Sequence, residues 1–278
     1  MKKILLGVLV LALIGTSIVG CSAKQEVPAQ GAPVSEEKKE TVLKVGATPI
    51  PHAEILEVVK PLLEEKGIKL EVVVFQDYVQ PNTALADKEI DANFFQHQPY
   101  LDNFNQERSL NLVSAAKVHV EPLGLYSKKI NNVSELKDDS TIAIPNDATN
   151  NARSLLLLQA NGIIKLKDGG SISSSENDVV ENPKNLKFEA IEAAQLPRVL
   201  EDVECAIINT NFAIPANLNP IKDALIIEDG NSPYANILVI RPEDEGREDL
   251  KELAKALNSE EVKNFIQEKY EGAIIAAY

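Results

Sequence analysis

Residues 41–75 read TVLKVGATPIPHAEILEVVKPLLEEKGIKLEVVVF, and this stretch indicates the fold class. The runs 42–47 and 68–75 are rich in β-branched residues, which predicts two strands. Between them, residues 53–66 place apolar side chains at helical spacing and stop at Gly67, which predicts an amphipathic helix. A strand, a helix and a second strand in this order are typical of α/β proteins, in which helices cover a sheet.

The same alternation continues along the chain and then restarts. Further segments of the first unit are predicted as helices at 84–89 and 100–107 and a strand at 92–95. Those of the second are predicted as strands at 141–144, 186–191 and 205–209 and helices at 150–161 and 196–203. Residues 121–126 and 234–240 are extended segments that we interpret as two crossovers between the units. The helical segment 248–270 then packs on the first unit.

These patterns predict two lobes after an N-terminal leader. We expect a signal peptide at 1–20, a lipidated cysteine and tether at 21–40, lobe 1 at 41–122 with 236–278, and lobe 2 at 123–235. A chain that crosses out and back leaves a cleft between its lobes, and ligand pockets tend to form at such domain interfaces. The cleft is therefore the predicted site. The Gly- and Ser-rich residues 169–175 are predicted as a surface loop.

The N-terminus has the order of a secretory signal. Lys2 and Lys3 precede an apolar run at 4–14, which is shorter than the roughly 20 residues that a membrane-spanning helix needs. The next residues, Ile-Val-Gly-Cys at 18–21, resemble the bacterial lipobox, which implies diacylglyceryl transfer to the Cys21 thiol and cleavage before it. The alternative is an ordinary signal peptide with a chance cysteine, although the usual small-residue cleavage site is missing.

Charge and composition narrow the range of partners. Residues 22–40 are polar and charged with almost no apolar side chains, so they are predicted to form a flexible tether. The chain carries a net charge of −14, and loss of the leader with its two lysines makes it about −16. Nucleic acid is therefore an unsuitable partner, and a covalent lipid would hold an acidic body at a membrane that repels it. Cys205 would then be the single remaining cysteine, predicted as a buried core residue.

No common catalytic or cofactor motif is present. The sequence lacks a P-loop, a dinucleotide-binding glycine motif, a zinc-protease helix and a serine-hydrolase elbow. None of the three histidines, His52, His97 and His119, lies at metal-ligand spacing to another, so no metal or cofactor is expected. An enzyme would need Ser232 or Thr210 near His97 as nucleophile and base. An adhesion protein without a small ligand is the other alternative.

The stretch 146–153, Asn-Asp-Ala-Thr-Asn-Asn-Ala-Arg, leads from a strand into an apolar helix. Arg153 is predicted in the first turn of that helix, where its charge opposes the helix dipole. A carboxylate or phosphate bound by Arg153 and the helix N-terminus would explain this position. The alternative is an exposed or internally paired arginine.

Aromatic and amide side chains form two further clusters. Tyr78 and the stretch Phe-Phe-Gln-His-Gln-Pro-Tyr at 94–100 concentrate rings in a chain that is only 5% aromatic. Phe95 and His97 share one face of an extended backbone. Amides follow the predicted strands at 208–211 and 232–236, where they could bind the polar ends of a ligand. Core packing and turn formation are the alternatives for these residues.

At these residues the sequence resembles the NlpA-type methionine-binding lipoproteins, the substrate-binding components of methionine-import ABC transporters. The similarity lies in ordered blocks at 77–82 (DYVQPN), 89–97 (EIDANFFQH), 119–124 (HVEPLG), 144–147 (IPND), 182–186 (NPKNL), 194–198 (AQLPR) and 232–236 (SPYAN). It implies a two-lobed, type II periplasmic-binding-protein-like fold without catalysis, an ABC permease as partner and a lipid anchor on the extracytoplasmic face of the cell membrane.

The resemblance also implies roles for eight residues. Arg153 would hold the ligand carboxylate, with Asn150, Asn209 and Asn236 at the same polar end. The methionine side chain would be surrounded by Tyr78, Phe95, His97 and Tyr100. D-Methionine, a methionine dipeptide or another apolar amino acid remain alternative ligands. The family usually has Gly where this chain has Ala152, and Asn151 also departs from its pattern, so a methyl group there is expected to narrow the approach to the ligand.

Overall fold

The structure, a computed structural model, describes residues 41–229 and 233–278. The predicted signal peptide, Cys21, the tether and Ser232 lie outside these residues. The described strands are β1 (Thr41–Ala47), β2 (Ile68–Val74), β3 (Ala92–His97), β4 (Val113–Val120), β5 (Gly124–Tyr126), β6 (Thr141–Pro145), β7 (Lys165–Leu166), β8 (Val179–Glu181), β9 (Lys187–Ile191), β10 (Cys205–Ile208), β11 (Ile226–Ile227), β12 (Ala235–Ile240) and β13 (Ile275–Ala276). The α-helices are α1 (Glu54–Glu64), α2 (Gln80–Ala86), α3 (Gln98–Arg108), α4 (Ala148–Ala160), α5 (Leu196–Val199), α6 (Thr210–Ala213), α7 (Glu248–Leu257) and α8 (Glu260–Tyr270).

Two mixed sheets hold nearly all the described strands. In the first sheet the order is β13-β4-β12-β3-β1-β2, with β1 parallel to β2 and β3, and β12 antiparallel to β3 and β4. In the second the order is β11-β5-β10-β6-β9, with β6 parallel to β9 and β10, and β5 antiparallel to β10. Strands β7 and β8 form a separate hairpin sheet.

The chain passes twice between the two sheets. It leaves the first sheet after β4 and enters the second at β5, and it returns between β11 and β12. The crossovers bond to each other, since the Glu228 N–H donates to the Leu123 carbonyl at 2.9 Å. The Glu228 carboxylate also accepts from the Leu123 N–H at 3.3 Å. The two sheets belong to one compact unit, and the lobe limits given above remain a prediction.

Apolar faces of the helices cover both sheets. Helices α1, α7 and α8 bury residues such as Ile55, Leu253 and Ile266 against Leu43 of β1. Helix α4 buries Leu155 and other residues against the second sheet. Each helix thus satisfies the expectation that an amphipathic element buries one face against a sheet.

The described elements differ from the predicted ones in several places. Strand β4 was not predicted, and helix α2 begins at Gln80 rather than at residue 84, because Pro81 suits a first helical turn. Helix α5 ends at Val199, before the chain turns into buried β10. The helical segment 248–270 is two helices, since Ser259 caps α8 by accepting a hydrogen bond from the Val262 N–H at 3.3 Å.

Two smaller expectations concern single features. Cys205 is buried, as predicted. Among the described helices, none has the length and apolar character required to cross a membrane.

Candidate functional site

A cavity lies between the two sheets. It brings together all eight residues predicted for the site: Tyr78, Phe95, His97, Tyr100, Asn150, Arg153, Asn209 and Asn236. Its described lining also includes Gln96, Glu121, Thr210 and Asn211, which are not among those eight. Residues 77–100 and α4 are far apart in the chain. They line the same cavity because the crossovers connect the first sheet to the second.

We call Tyr78, Phe95, His97 and Tyr100 the aromatic wall. The ring centroids of Tyr78, Phe95 and Tyr100 lie 5.8 to 5.9 Å apart. The Tyr100 hydroxyl donates to the Tyr78 carbonyl at 2.9 Å, and the Tyr78 hydroxyl donates to Asn211 Oδ1 at 2.5 Å. Burial raises the pKa of both phenols, so both remain neutral donors. The wall therefore presents apolar ring faces with its hydroxyls already bonded.

His97 joins the aromatic wall to the opposite side of the cavity. It ends β3 and caps α3, since its Nδ1 accepts a hydrogen bond from the Tyr100 N–H at 3.2 Å. Its Nε2 therefore carries the proton and donates to Asn150 Oδ1 at 3.2 Å. Burial, and next the positive charge of Arg153, lower the pKa of His97 to about 3, so the ring is neutral.

We call Asn150, Arg153 and Asn209 the polar wall. Asn150 Oδ1 accepts from Asn209 Nδ2 at 3.0 Å, and Asn150 Nδ2 donates to both carboxylate oxygens of Asp147 at 3.0 Å. Asn209 Oδ1 is buried and has no hydrogen-bond donor among the described residues. A buried polar atom without a partner is costly, so this oxygen is suited to a ligand that donates a hydrogen bond.

Arg153 is buried and already has an internal partner. Its Nε donates to Glu228 Oε1 at 3.0 Å, its Nη2 also pairs with the Glu228 carboxylate, and Nη2 donates to the Glu121 carbonyl at 2.8 Å. The guanidinium carbon lies 4.3 Å from the centroid of the Tyr234 ring. Nη1 has no hydrogen-bond acceptor within the described ranges. The internally paired alternative is thus observed, with one edge of the guanidinium left for an anion.

The predicted position of Arg153 in its helix is wrong. Helix α4 begins at Ala148 because Asp147 caps it, with Asp147 Oδ1 accepting from the Asn150 N–H at 2.9 Å. Arg153 therefore lies in the second turn, and the first N–H groups of the helix are satisfied by a carboxylate. An anion at this site would depend on the guanidinium rather than on the helix dipole.

A buried cluster of His52, His119 and Glu121 lies beside the cavity and was not predicted. Glu121 Oε1 lies 2.8 Å from His119 Nε2 and 3.2 Å from His52 Nε2, and His52 Nε2 lies 3.0 Å from Asn236 Oδ1. The ligand atoms of these three residues lie within 4.8 Å of one another, a grouping that could hold a metal ion. These histidines are not at metal-ligand spacing in the sequence, and the segment after β1 and strand β4 bring together residues that are distant in the chain.

Burial controls the protonation of this cluster. It lowers the pKa of His52 to about 4 and that of His119 to about 3, so both rings are neutral at pH 7. Burial raises the pKa of Glu121, while its interactions with His52 and Arg153 act in the opposite direction. Thr48 Oγ1 lies 2.7 Å from His52 Nδ1, which leaves His52 Nε2 to face Glu121.

Thr210 and His97 were the residues of the alternative enzyme hypothesis that the structure describes. The Thr210 hydroxyl donates to the Pro122 carbonyl at 2.5 Å, and His97 contacts Asn150, so Thr210 and His97 do not form a nucleophile and base pair.

Asn151 faces away from the cavity, with its Nδ2 donating to Glu176 Oε1 at 2.8 Å. Ala152 is fully buried and does not belong to the described lining. The methyl group of Ala152, which was expected to narrow the approach to the ligand, therefore does not line the cavity.

Two α/β lobes joined by two crossovers, with rings on one side of a cavity and amides with a guanidinium on the other, define a two-lobed binding protein. The model of the NlpA lipoprotein family matches residues 43–278. The chain therefore belongs to the NlpA lipoprotein family.

Three relatives illustrate the similarity. The D-methionine-binding lipoprotein MetQ of Salmonella typhi is 43% identical over 271 residues, which cover 96% of each chain. The structure of a nutrient-binding protein from Burkholderia cenocepacia bound to methionine is 45% identical, with a TM-score of 0.83 over 85% of this chain and 100% of that one. A periplasmic substrate-binding protein of an ABC transporter from Coxiella burnetii is 43% identical, with a TM-score of 0.81 over 84% and 100%. The predicted family and two-lobed α/β fold are confirmed.

Proposed function

We propose that this chain captures methionine between its two lobes and delivers it to an ABC importer. The observation that supports this most directly is a single cavity with an aromatic wall on one side and a guanidinium with amides on the other. An amino acid with a flexible, polarizable thioether needs both surfaces. Relatives more than 40% identical, named as methionine-binding or solved with methionine, support the same ligand.

Each wall would bind one end of methionine. Tyr78, Phe95 and Tyr100 would contact the thioether, and the neutral ring of His97 would close the same slot. The free edge of Arg153 would take the carboxylate, with Asn150 and Asn209 beside it. Asn236, whose register partner on β3 is His97, would lie at the junction of the two ends.

Capture without reaction would proceed by a hinge motion. Two hydrogen bonds already cross the cavity, from Tyr78 to Asn211 and from His97 to Asn150, at 2.5 and 3.2 Å. Both would break when the lobes separate around the two crossovers. The backbone bond from Glu228 to Leu123 and the bond from the Leu123 N–H to the Glu228 carboxylate keep the crossovers together, so opening needs no rearrangement of either core.

The same proposal assigns the chain to a membrane surface. A lipid on Cys21 would anchor it at the extracytoplasmic face, and residues 22–40 would let the acidic body reach a permease. No nucleic-acid partner, cofactor or catalytic step enters this mechanism.

Calorimetry on purified protein, unfolded and refolded to remove bound ligand, tests the proposal. Separate titrations would use L-methionine, D-methionine, methionine-containing dipeptides and leucine. We expect saturable binding of at least one methionine form, and the order of affinities identifies the ligand among these alternatives. No heat with any form of methionine would refute the proposed function.

The anchor is tested by Cys21→Ala in the bacterial host. We expect the variant protein to move from the membrane fraction to the soluble extracytoplasmic fraction, with methionine affinity unchanged. Continued membrane attachment of the variant would contradict the anchor and leave the ligand assignment intact.

A further inference from the structure

Three buried amide side chains join α2 to β3. We call Asn82, Asn93 and Gln96 the amide triad; the first two are fully buried and the third is 3% exposed. Asn82 Nδ2 donates to Gln96 Oε1 at 2.8 Å, and Asn82 Oδ1 accepts from Gln96 Nε2 at 2.6 Å and from Asn93 Nδ2 at 2.8 Å. Gln96 Nε2 also donates to Asn93 Oδ1 at 3.0 Å, and Asn93 Nδ2 donates to the Pro81 carbonyl at 3.2 Å. Every side-chain oxygen and nitrogen of the triad therefore has a partner within the chain.

The triad spans an irregular point of β3. Two consecutive residues of β12 pair with Gln96 and Phe94, so Phe95 between them is an extra residue that forms a β-bulge. In a regular strand, residues three apart point to opposite faces. The extra residue lets the side chains of Asn93 and Gln96 meet on one face. Bulges re-aim side chains, and here Phe95 lines the cavity while Phe94 belongs to the core beneath α1.

Tyr78 is connected to β3 through the same triad. It lies on the turn before α2, where Asp77 Oδ1 accepts hydrogen bonds from two backbone N–H groups at the start of the helix, at 2.7 and 2.8 Å. Asn82 lies in the first turn of α2, so its bonds attach this helix to the strand that carries Phe95. The ring centroids of Tyr78 and Phe95 lie 5.9 Å apart. The triad therefore links the two elements that set the spacing of these rings.

A saturated network of buried amides specifies one arrangement more than it adds stability. Replacing bonded partners together by apolar groups of the same shape can leave the free energy of unfolding nearly unchanged, whereas a buried amide that loses its partner is costly. Without the bulge, Gln96 would turn to the opposite face of β3 and leave Asn82 Nδ2 and Asn93 Oδ1 without partners. The amides therefore penalise a regular β3 and favour the bulged one.

We propose that the amide triad consists of positioning residues that hold the bulge at Phe95 and the spacing of its ring from Tyr78, and thereby set selectivity for the shape of the ligand side chain. The inference rests on the proposed function and extends it to residues beyond the aromatic wall. Gln96 belongs to the described lining of the cavity, but the triad occupies its amide, so it acts through Phe95. The slot held in this way suits the unbranched side chain of methionine and disfavours the branched one of leucine.

The main test replaces the whole triad by apolar residues of similar size, with Asn82→Leu, Asn93→Leu and Gln96→Met in one chain. Because all three partners change together, the urea midpoint of unfolding should stay within about 0.5 M of wild type. Calorimetry should show methionine affinity reduced about tenfold and leucine affinity changed less than about threefold, because a small displacement of a ring already forfeits contact with a fitted ligand. Backbone amide exchange in residues 92–97 of ligand-free protein should become about tenfold faster.

Asn182→Leu is the matched control. On the loop before β9, Asn182 donates to the Leu186 carbonyl and accepts from the Leu186 N–H, both at 2.9 Å, and it does not belong to the described lining of the cavity. This variant leaves two backbone groups without their amide partner, so it should lower the urea midpoint. It should keep both the ratio of methionine to leucine affinities and the exchange rates in residues 92–97.

An unchanged ratio of the two affinities in the triad variant, or unchanged exchange in residues 92–97, would overturn the inference. Equal affinities of wild type for methionine and leucine would also overturn it, since the triad would then have no selectivity to set. If the triad variant does not fold, Gln96→Met alone decides by the same ratio. Failure of wild type to bind any form of methionine would refute the proposed function instead, and amide exchange would still decide whether the triad holds β3.

Discussion

The aromatic wall and the polar wall differ in how far their own contacts satisfy their polar groups. Phe95 and His97 are 3% and 5% exposed, and Asn150 and Arg153 are 2% and 3% exposed. On the aromatic side, the hydroxyls of both tyrosines and both nitrogens of His97 have partners. On the polar side, Arg153 Nη1 and Asn209 Oδ1 have none among the described residues.

Because of this difference, the aromatic wall determines the shape of the site and the polar wall determines most of its affinity for a ligand. The polar groups of the aromatic wall have hydrogen-bond partners without a ligand. The wall therefore provides a preformed slot that loses few contacts when the ligand leaves. The polar wall is complete only when a ligand supplies an acceptor for the guanidinium and a donor for the amide. We therefore expect substitutions in the polar wall to reduce binding most, and substitutions in the aromatic wall to change selectivity and stability.

Arg153→Ala should have the largest effect. It removes the proposed partner of the ligand carboxylate, and we expect methionine affinity to fall at least 100-fold, about 3 kcal/mol or more. Calorimetry measures the loss, and circular dichroism checks that the fold persists. Arg198→Ala, which removes an exposed arginine bonded to Gln195, is the control and should bind normally. Unchanged affinity in Arg153→Ala would show that the carboxylate site is elsewhere.

His97→Asn should change how stability depends on pH. The pKa of His97 is about 3 in the folded chain and 6.5 for the ordinary side chain, so the unfolded state binds the proton first as pH falls. The stability that the neutral ring contributes is therefore complete above pH 6.5 and is lost progressively towards pH 3, by about 1.4 kcal/mol per pH unit. Asn keeps the cap of α3 but does not titrate.

Urea unfolding of ligand-free protein at pH 7.5 and 5.0 measures this difference. Wild type should lose about 2 kcal/mol more than His97→Asn over this interval. The raised pKa values of Glu121 and Asp147 act in the opposite direction, but they act in both proteins and cancel in the comparison. Equal losses in the two proteins would show that His97 is not held neutral.

Phe95→Leu should distinguish a sulfur contact from simple burial. Leu keeps an apolar side chain of similar shape, so stability should change by less than about 1.5 kcal/mol. Methionine should lose about fivefold in affinity, because a sulfur–aromatic contact contributes about 1 kcal/mol. Norleucine, which replaces the sulfur with a methylene, should lose less. Equal losses for the two ligands would remove the thioether from this contact.

Tyr78→Phe should have a small effect, similar in size to that of Phe95→Leu. It deletes only the hydroxyl that donates to Asn211 Oδ1 across the cavity. Losing one such bond costs about 1 kcal/mol, so methionine affinity should fall about fivefold through faster dissociation. Stopped-flow fluorescence separates the two rates. A change confined to the association rate would mean that this bond does not hold the closed form.

The sequence predicted residues of the site better than the elements that carry them. Phe95 and His97 could be placed on one face because the period of a strand is two residues, and the structure has both in the cavity. Strand β4 escaped prediction because its first five residues are half-buried or exposed, so no apolar run marks it. The start of α4 was misplaced because Asp147, a favourable cap, was not treated as one.

The Glu121 cluster could not be predicted for a different reason. His52 follows β1 and His119 lies on β4, and they meet only because the order of strands in the first sheet brings their ends together. Periodicity reports local structure and carries no information about strand order. An acid within the largely apolar block at 119–124 was the available signal, since charged residues are rarely buried without a partner.

The pairing of Arg153 with Glu228 has a consequence for the empty protein. A buried guanidinium that lost its only counter-ion whenever cargo departed would cost several kcal/mol at each release. Glu228 pairs with Arg153 within the chain, so this cation has a counter-ion that does not depend on the ligand. A protein that binds and releases its ligand repeatedly therefore does not leave a buried, unpaired guanidinium each time the ligand dissociates.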